Sequence, residues 1–394
     1  MLMSDFLSPL ANRVSEVLGL IALVAGGLLV YVYIGYPVLL AALGTIRRRR
    51  PPEIGFTPSI SVLIAAYNEA AAIGRKIEQT LALEYPASKL EILVVSDGST
   101  DFTDEIVKSI SDPRVRLLRV EGRLGKTNAQ NEGVQQCRGE VIVFSDATAV
   151  YHPKALLYLA AHYADAKVGA VSGRYKYFDP ENSSPTGLGS VAFWNYENMI
   201  KLLQSRIGTL TGCSGCIYSV RRKNYVPLSR DACSDLVEPL CIVRDGYRVA
   251  FEERALAYEE TTKNSAQEFK MRVRVGTRGI RGVLSVPELL RPRHHAWTAF
   301  QLISHKILRW MVPLFLIPLF AGSAANLHVP AFRLLLLLQL LFYGFGLASL
   351  VLPLHRRWKI LGIPLFFCTL NAAALISMLQ VWRGHKFTTW ETVR

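Results

Sequence analysis

Polar side chains close four short apolar segments of this sequence. Glu69 follows SISVLIAAYN, Asp97 lies in EILVVSDGSTD, and Asp146 ends the stretch VIVFSD. Glu69 could accept hydrogen bonds from ribose hydroxyls, and Asp97 could accept one from a base N–H. Lys126, in GKTNAQN, is a cation close to a predicted helix start, where backbone N–H groups and the helix dipole also favour anions. Together, these residue types favour a nucleotide as the ligand.

The elements that carry these side chains alternate between strands and helices over residues 57–284. The strand patterns lie at residues 59–65, 91–96, 115–120 and 140–144, and the helical patterns at residues 70–83 and 104–111. Such alternation indicates a largely parallel, buried sheet. Because ligands bind these sheets beyond the carboxyl ends of the strands, we expect the polar side chains to meet at one edge.

Each of these side chains also has a purely structural explanation. Glu69 could cap a helix, Asp97 could close a turn, and Asp146 could cap a strand end. The Gly-Lys pair at Lys126 is a weak signal because no P-loop spacing surrounds it. The prediction of a nucleotide site therefore depends on all four segments together.

The composition favours a membrane protein. The 394 residues carry a net charge of +14, and 51% of them are hydrophobic. Many charges flank apolar runs, which predicts membrane lipids rather than nucleic acid as partners. Residues 18–44 hold no charge and are long enough to span a bilayer. The four arginines at 47–50 follow, and the positive-inside tendency puts this end in the cytoplasm.

The C-terminal part is again apolar. Residues 289–310 mix basic and apolar side chains, which is typical of an amphipathic helix at a membrane surface. Apolar runs follow near residues 311–325, 331–354 and 360–382. If all three runs are full spans, the C-terminal tail lies outside. If the first run is re-entrant, the tail lies inside and the basic turn 355–359 lies outside. Both arrangements remain open. The sequence thus divides into a first span with its linker, an α/β domain, an interfacial helix and a membrane region, at residues 1–50, 51–285, 286–310 and 311–394.

The six cysteines lie among apolar or small residues, without the spacing of a disulfide framework. This pattern fits a reducing compartment. Cys213 and Cys216 form a CxxC pair, but no second pair sits at zinc-finger spacing, which disfavours a metal or redox role.

The motifs AAYNEA, VVSDGSTD, GKTNAQN and FSDAT, in this order and spacing, resemble those of the family 2 glycosyltransferases. The resemblance covers residues 58–282 and is similar in layout to the membrane-embedded synthases related to cellulose, hyaluronan and poly-N-acetylglucosamine synthases. It implies an α/β domain of the GT-A type, Rossmann-like with a mostly parallel sheet. The domain is expected on the cytoplasmic side of the inner membrane, with transmembrane helices before and after it.

The resemblance implies a role for each donor-side residue. Ala66 and Glu69 are expected to contact the nucleoside, and Asp97 the uracil or another base. Lys126 is expected near the phosphates of a nucleotide-diphospho sugar, with a UDP-sugar as the first choice.

The resemblance also makes Asp146 the first acid of a D-x-D motif, which binds a divalent cation that bridges the diphosphate. Mg²⁺ and Mn²⁺ are the expected ions because they take oxygen ligands. Thr148 stands where a second acid is common. Its hydroxyl is expected to ligate the metal weakly or to hold a metal-bound water.

For the acceptor side, Asp235 in ACSDLVEPL matches the family's catalytic aspartate. A base at this point is what an inverting single displacement needs. Glu238 lies about one helical turn further on and is the competing candidate.

Arg272 matches the arginine of the Q-x-x-R-W motif found in polymerising relatives, and it is expected to pair with the diphosphate. Its alternative is an ion pair with Glu268 four residues earlier on a helix. Phe269 and Val273 replace the glutamine and the tryptophan of that motif, which puts processive polymerisation in doubt.

These expectations converge on a membrane-bound, metal-dependent, inverting glycosyltransferase that moves a sugar to a glycan or lipid-linked acceptor. Three alternatives stay open: a processive polysaccharide synthase, a polyprenyl-phosphate glycosyltransferase, and a non-catalytic membrane subunit. Retention of Lys126, Asp146 and Asp235 argues against the last of these.

Overall fold

The computed structural model describes residues 2–46, 49–178, 187–260, 265–352 and 359–389. Arg47, Arg48, residues 355–358 of the basic turn and the last five residues lie outside these ranges. Eight strands occur in the described residues: β1 Ile60–Ala66, β2 Leu90–Asp97, β3 Val115–Val120, β4 Val141–Asp146, β5 Val150–Tyr151, β6 Val168–Phe178, β7 Ile217–Arg221 and β8 Arg248–Glu260. The first four confirm the predicted strands to within one or two residues.

These strands form one sheet in the order β3-β2-β1-β4-β7-β6-β8-β5. The first four strands are parallel to one another, and β6 is parallel to β8. β7 runs antiparallel between β4 and β6, and the short β5 is antiparallel to β8. Ala65 of β1 pairs with Asp146, and Ala66 pairs with Ser96, so the polar strand ends do meet at one edge.

Helices cover both faces of the sheet. Their bounds are α1 Leu2–Val30, α2 Tyr36–Ile46, α3 Ala70–Leu81, α4 Thr103–Ser109, α5 Lys126–Gln136, α6 Ala155–Ala161, α7 Gly187–Ile207, α8 Ser234–Arg244, α9 Ser265–Leu284, α10 Pro292–Leu302, α11 Leu308–Trp310, α12 Val312–Ala325, α13 Pro330–Val351 and α14 Gly362–Trp382. Val62 and Ile64 of β1 pack with α3, α4 and α6, whereas Leu63 and Ala65 pack with α5, α8 and α9. Because successive residues of a strand face opposite sides, a strand covered on both sides is apolar throughout.

Three helical segments are long and apolar enough to cross a membrane: Asn12–Ile46, Pro330–Leu350 and Gly362–Trp382. A fourth is possible if the bent pair His295–Trp310 and Val312–Ala325, which meet at 57°, counts as one span. α1 and α2 are joined by a π-helical turn at Tyr31–Gly35. α12 packs along α1, where Asn326 Nδ2 donates to the carbonyl of Ser15 at 2.8 Å.

The second half of α14 lies against the α/β domain rather than away from it. Ser377 Oγ donates to the carbonyl of Val273 at 3.0 Å, and Thr277 Oγ1 donates to Gln380 Oε1 at 3.0 Å. The segment that follows α14 reaches Gly125, where a Cβ atom would lie 2.0 Å from the carbonyl oxygen of Thr388. The chain after α14 therefore lies beside the α/β domain, which is where the arrangement with a re-entrant first run places the tail.

The predicted interfacial helix is broken and turns part of its charge inward. A π-helical turn at Ile303–Ile307 separates α10 from α11. His305 Nε2 lies 3.1 Å from Glu197 Oε1, Lys306 Nζ lies 3.9 Å from Glu197 Oε2, and Arg309 also pairs with Glu197. These three residues therefore do not face headgroups as an amphipathic surface helix would require, because the buried Glu197 carboxylate on α7 needs the charge of Lys306 and Arg309 and a hydrogen-bond partner in His305.

Removing the charge of Glu197 leaves three basic side chains with no carboxylate between them. Breaking a buried ion pair by removing one partner costs about 3 kcal/mol or more. We therefore expect Glu197→Gln to lower the free energy of unfolding by about 3 kcal/mol, measured by thermal or denaturant unfolding in detergent. The matched change Glu105→Gln, at an exposed site on α4, should have little effect. Equal stability of the two variants would contradict this account of the cluster.

Candidate active site

The first two strand ends bring together the residues predicted to contact the nucleoside. Ala66 is the buried last residue of β1, and the buried Glu69 follows it, its backbone N–H donating to Thr103 Oγ1 at 2.8 Å. Asp97 ends β2 and is fully buried. Leu124 N donates to Asp97 Oδ1 at 3.0 Å, and Gly125 N donates to Oδ2 at 2.8 Å. Asp97 thus holds the loop that leads into α5, and its contact with a base stays a prediction.

Lys126 begins α5 and forms an ion pair with Asp146 at the end of β4. Burial opposes the charge of this ammonium group, but the carboxylates of Asp146, Asp235 and Glu259 outweigh burial and raise the pKa of Lys126. The side chains of Lys126 and Asp146 are 22% and 32% exposed, so the pair is open to a ligand. One cation and three carboxylates therefore lie at a common cleft.

Glu259 supplies the second acid that the sequence lacks at position 148. Thr148 Oγ1 donates to Glu259 Oε1 at 3.0 Å, and the hydroxyl of Tyr175 donates to Oε2 at 2.5 Å. The antiparallel pairing of β5 with β8 sets Glu259 beside the loop that follows Asp146. Burial, together with the charge of Asp146, raises the pKa of Glu259 to about 7. No local pattern marks this residue, since its partner Thr148 is 111 positions away.

The loop after Asp146 is held from inside the domain by Lys76, which sequence reasoning also missed. Its Nζ donates to the carbonyl of Ala149 at 2.6 Å and lies 3.9 Å from the ring centroid of Tyr151. Burial lowers the pKa of Lys76 to about 8. Lys76 is therefore a positioning residue for the Asp146–Thr148 segment.

The oxygen atoms of Asp146, Thr148 and Glu259 suit a hard divalent cation such as Mg²⁺ or Mn²⁺. The ammonium group of Lys126 already sits on the Asp146 carboxylate, which shows that this position accepts positive charge. Among the described residues, no group of three or more His, Cys, Asp or Glu side chains could hold a metal. These side chains therefore offer oxygen ligands but do not by themselves form a complete metal site in the described part of the chain.

Asp235 and Glu238, the two candidates for a catalytic base, have different surroundings. Asp235 lies in the first turn of α8, and its Oδ2 is 2.9 Å from the place where a Cβ atom of Gly215 would stand. Glu238 is fully buried and accepts a hydrogen bond from Val226 N at 3.1 Å. Burial raises the pKa of Glu238 to about 8. This geometry favours Asp235, whose charge reaches Lys126, over Glu238.

For Arg272 the structure contains the alternative contact given with its predicted role. Arg272 forms the alternative ion pair with Glu268 at 2.8 Å, and its guanidinium lies 5.2 and 5.4 Å from the rings of Phe193 and Phe366. Its charge is matched by Glu268 and its side chain is 10% exposed, and the pairing of Arg272 with a diphosphate stays a prediction. The physical reason for the ion pair is the i,i+4 spacing on α9, which places the two charges side by side.

A different arginine of α9 reaches the cleft. Arg278 donates to Thr127 Oγ1 at 2.9 Å and to the carbonyls of Asp231 and Ala232. It thereby ties the first turn of α5, next to Lys126, to the loop before α8. Sequence reasoning missed Arg278 because the resemblance pointed to the arginine of a known motif.

Cys213 and Cys216 are both buried free thiols, packed into different hydrophobic clusters. Both thiols are thus part of the packed interior of the domain.

The sequence profile described as Glycosyl transferase family 2 matches residues 61–226. The chain carries a family 2 glycosyltransferase domain. The match includes Lys126, Asp146 and Thr148 but ends before Asp235 and Glu259. The residues that α8 and β8 contribute to the cleft of this glycosyltransferase domain therefore lie outside the matched segment.

Curated relatives support the same family. The chain is 28% identical over 224 residues to a poly-beta-1,6-N-acetyl-D-glucosamine synthase of Staphylococcus epidermidis, and 27% identical over 224 residues to the synthase of the same name from Staphylococcus aureus. These alignments cover 55% of this chain and 53% of each relative, so the chain spans about half the length of the curated relatives it matches.

Among solved structures, the chain is similar to the mannosyltransferase PcManGT from Pyrobaculum calidifontis in complex with GDP-Man and Mn²⁺. The TM-score is 0.69 at 22% identity, over 93% of this chain and 99% of that chain. At this identity the likeness concerns the fold, and it confirms the expected GT-A-like architecture with apolar helices on both sides of the domain.

The raised pKa of Glu238 predicts a pH-dependent stability. Below the unfolded-state pKa both states hold the proton. As the pH rises from there to about 8, the unfolded state releases the proton of Glu238 while the folded state still holds it. The free energy of unfolding therefore falls over this range, until the folded state also loses the proton near its own pKa. We expect Glu238→Gln to reduce the fall in melting temperature between about pH 6 and about pH 9, measured in detergent.

Glu78→Gln, at an exposed site on α3, is the control and should follow the wild-type pH profile. If Glu238→Gln also follows that profile, the carboxyl group of Glu238 is ionised in the folded protein and this interpretation is wrong.

Proposed function

We propose that the protein is a membrane-bound, inverting glycosyltransferase that transfers a sugar from a nucleotide-diphospho sugar to a glycan or lipid-linked acceptor. The observation that carries the proposal is the cleft in which Lys126, Asp146 and Glu259 meet beside Asp235. A family 2 domain with this charge distribution can bind a diphosphate and place a base next to it.

On the donor side, Lys126 and the backbone N–H groups at the start of α5 bind the phosphates of the nucleotide. Ala66 and Glu69 contact the nucleoside, and Asp97 holds the loop in place and faces the base. Asp146, Glu259 and Thr148 would hold a divalent cation. A divalent cation bound there acts as a Lewis acid that stabilises the charge of the leaving diphosphate.

On the acceptor side, Asp235 accepts the proton of an acceptor hydroxyl. The hydroxyl oxygen then forms a bond to the anomeric carbon as the bond from that carbon to the diphosphate breaks. The nucleoside diphosphate leaves with the bonding electrons, and the configuration at the anomeric carbon is inverted. The proton held by Asp235 passes to water after the product leaves.

The membrane segments suggest where the acceptor is met. The apolar stretch ends just before the arginines at 47–50, and the positive-inside tendency then puts the domain at the cytoplasmic side of the inner, or plasma, membrane. A polyprenyl phosphate or a growing polysaccharide is an acceptor that a domain in this position can reach. Val273, which is buried against α14 where polymerising relatives have tryptophan, favours single transfer over processive synthesis.

Nucleotide release is the direct test of the proposed activity. Purified full-length protein is incubated with UDP-N-acetylglucosamine or GDP-mannose, with and without Mn²⁺, and the free nucleoside diphosphate is measured. We expect Mn²⁺-dependent release, and a fall in kcat of about 100-fold or more in Asp235→Asn, since proton transfer by a positioned side chain contributes that much.

Glu238→Gln is the matched control for Asp235→Asn and should keep most of the activity. If no nucleotide sugar is turned over or transferred, or if Asp235→Asn is as active as the wild type, the proposal fails. The length of the product separates a single transfer from processive synthesis, and added polyprenyl phosphate tests the lipid acceptor.

An exchange of charges tests whether Glu259 acts as the second acid. We expect Glu259→Gln to raise the Mn²⁺ concentration needed for half-maximal activity by about tenfold, as is typical when support of a metal site is lost. Adding Thr148→Asp to that variant restores a carboxylate close by, because the two side chains are 3.0 Å apart, and should recover most of the affinity for Mn²⁺. An unchanged Mn²⁺ dependence in Glu259→Gln would remove Glu259 from the site.

A further inference from the structure

A cavity of about 460 Å³ lies at the edge of the sheet opposite to the candidate active site. Its lining residues come from the segment just before β6, from the start of β8, from the end of α7 and from the segment after α2. β4 ends at Asp146, and β8 ends one residue after Glu259. Both strands are parallel to β6, so the cavity lies at the strand starts and these two carboxylates lie at the strand ends. The cavity is therefore separated from the catalytic cleft by the length of these strands.

Four arginines line this cavity: Arg49, Arg50, Arg206 and Arg248. They come from three separate segments, and Arg49 N donates to the carbonyl of Arg206 at 3.4 Å, which holds two of the segments together. Arg248 pairs with Asp165 at 3.2 Å. Within the described ranges of the chain, no carboxylate lies at ion-pair distance from Arg49, Arg50 or Arg206.

Three acidic side chains, Asp165, Glu252 and Glu253, also line the cavity, fewer than its four arginines, so they cancel only part of this positive charge. Glu252 is fully buried and already paired with His162 at 3.0 Å and with Arg254 at 2.8 Å. Nε of Arg248 is buried and, among the described residues, has no hydrogen-bond partner. Burial and the charge of Arg49 lower the pKa of Arg248, so these guanidinium groups are close enough to repel each other. An anion in the cavity would relieve that repulsion.

The cavity opens where the apolar surface of the first span ends. Val38 and Ile46 on α2 are 61% and 84% exposed, so the side of α2 away from the domain is apolar to its last residue. Arg49 follows three residues later, and charged residues at the end of an apolar span lie at the level of lipid headgroups. A phosphate of the membrane surface is therefore within reach of the cavity.

We propose that this arginine cavity binds a phosphate group, with an anionic lipid headgroup as its source. Guanidinium groups offer paired N–H donors that match the oxygens of a phosphate, and converging arginines are suited to phosphate recognition. A lipid bound here joins the start of the domain to the end of α7, and so sets the position of the domain on the membrane surface.

Binding is tested on the full-length protein in detergent with three probes: dihexanoyl phosphatidylglycerol, dihexanoyl phosphatidylcholine and inorganic phosphate. Affinity is measured by thermal shift and native mass spectrometry. We expect phosphatidylglycerol to bind and to raise the melting temperature, phosphatidylcholine to do neither, and Arg206→Gln to weaken phosphatidylglycerol binding about tenfold through the loss of one charge-assisted pair.

Arg50→Gln is a second variant at an exposed position, so it separates loss of binding from loss of folding. Arg75→Gln, which removes an exposed arginine from α3 on a different part of the domain, is the matched control and should bind like the wild type. If inorganic phosphate binds as tightly as phosphatidylglycerol and Arg206→Gln abolishes that binding, the cavity is a phosphate site and the proposed lipid source is overturned. Binding that is absent, or equal in Arg206→Gln, Arg50→Gln and Arg75→Gln, overturns the proposal.

Discussion

The repulsion between Asp146 and Glu259 is the constraint on which the site depends. Each carboxylate lies in a cleft that is only partly open to water, and the charge of Asp146 helps to raise the pKa of Glu259 to about 7. Lys126 neutralises the first acid, while hydroxyl groups of Thr148 and Tyr175 donate to the second. In the proposed function, a divalent cation and the diphosphate that it accompanies would complete this balance of charge.

Keeping these charges in place requires a rigid frame. The two carboxylates end or follow strands of one buried sheet, and loops at the same edge are held by buried polar groups. Asp97 accepts two backbone N–H groups of the loop before Lys126, and Lys76 donates to the loop after Asp146. These contacts lie beneath the cleft, so they position the residues that face a ligand without taking part in the chemistry themselves.

The membrane helices are part of this frame rather than an attachment to it. α14 packs against α9, which also carries Arg278, and the chain after α14 reaches the loop at Gly125. At the other end of α9, Glu268 and Arg272 neutralise each other next to α7 and α14. A shift of the apolar helices would thus be transmitted to both sides of the cleft. The Glu197 cluster adds a third connection, between α7 and the broken helix at residues 292–310.

Much of this could be predicted from local pattern. The strands β1 to β4 and the polar residues that end them were predictable because buried strands are apolar runs, and a break in such a run is visible in the residues themselves. The long apolar stretches and their basic flanks are visible for the same reason. Asp146 and Lys126 could therefore be named as candidate site residues from the sequence, whereas the ion pair between them could not.

Glu259 and Arg278 could not be found in this way. Glu259 lies 111 positions after Thr148, and only the pairing of β5 with β8 makes the two residues neighbours. Arg272 and Arg278 stand six residues apart on one helix, about one and two-thirds turns, so they face different neighbours, and only the packing of α9 decides which one reaches the cleft. Local sequence thus specifies which residues end a strand or enter a membrane. The burial of the whole chain decides which of them meet, because that choice depends on contacts between residues far apart in the sequence.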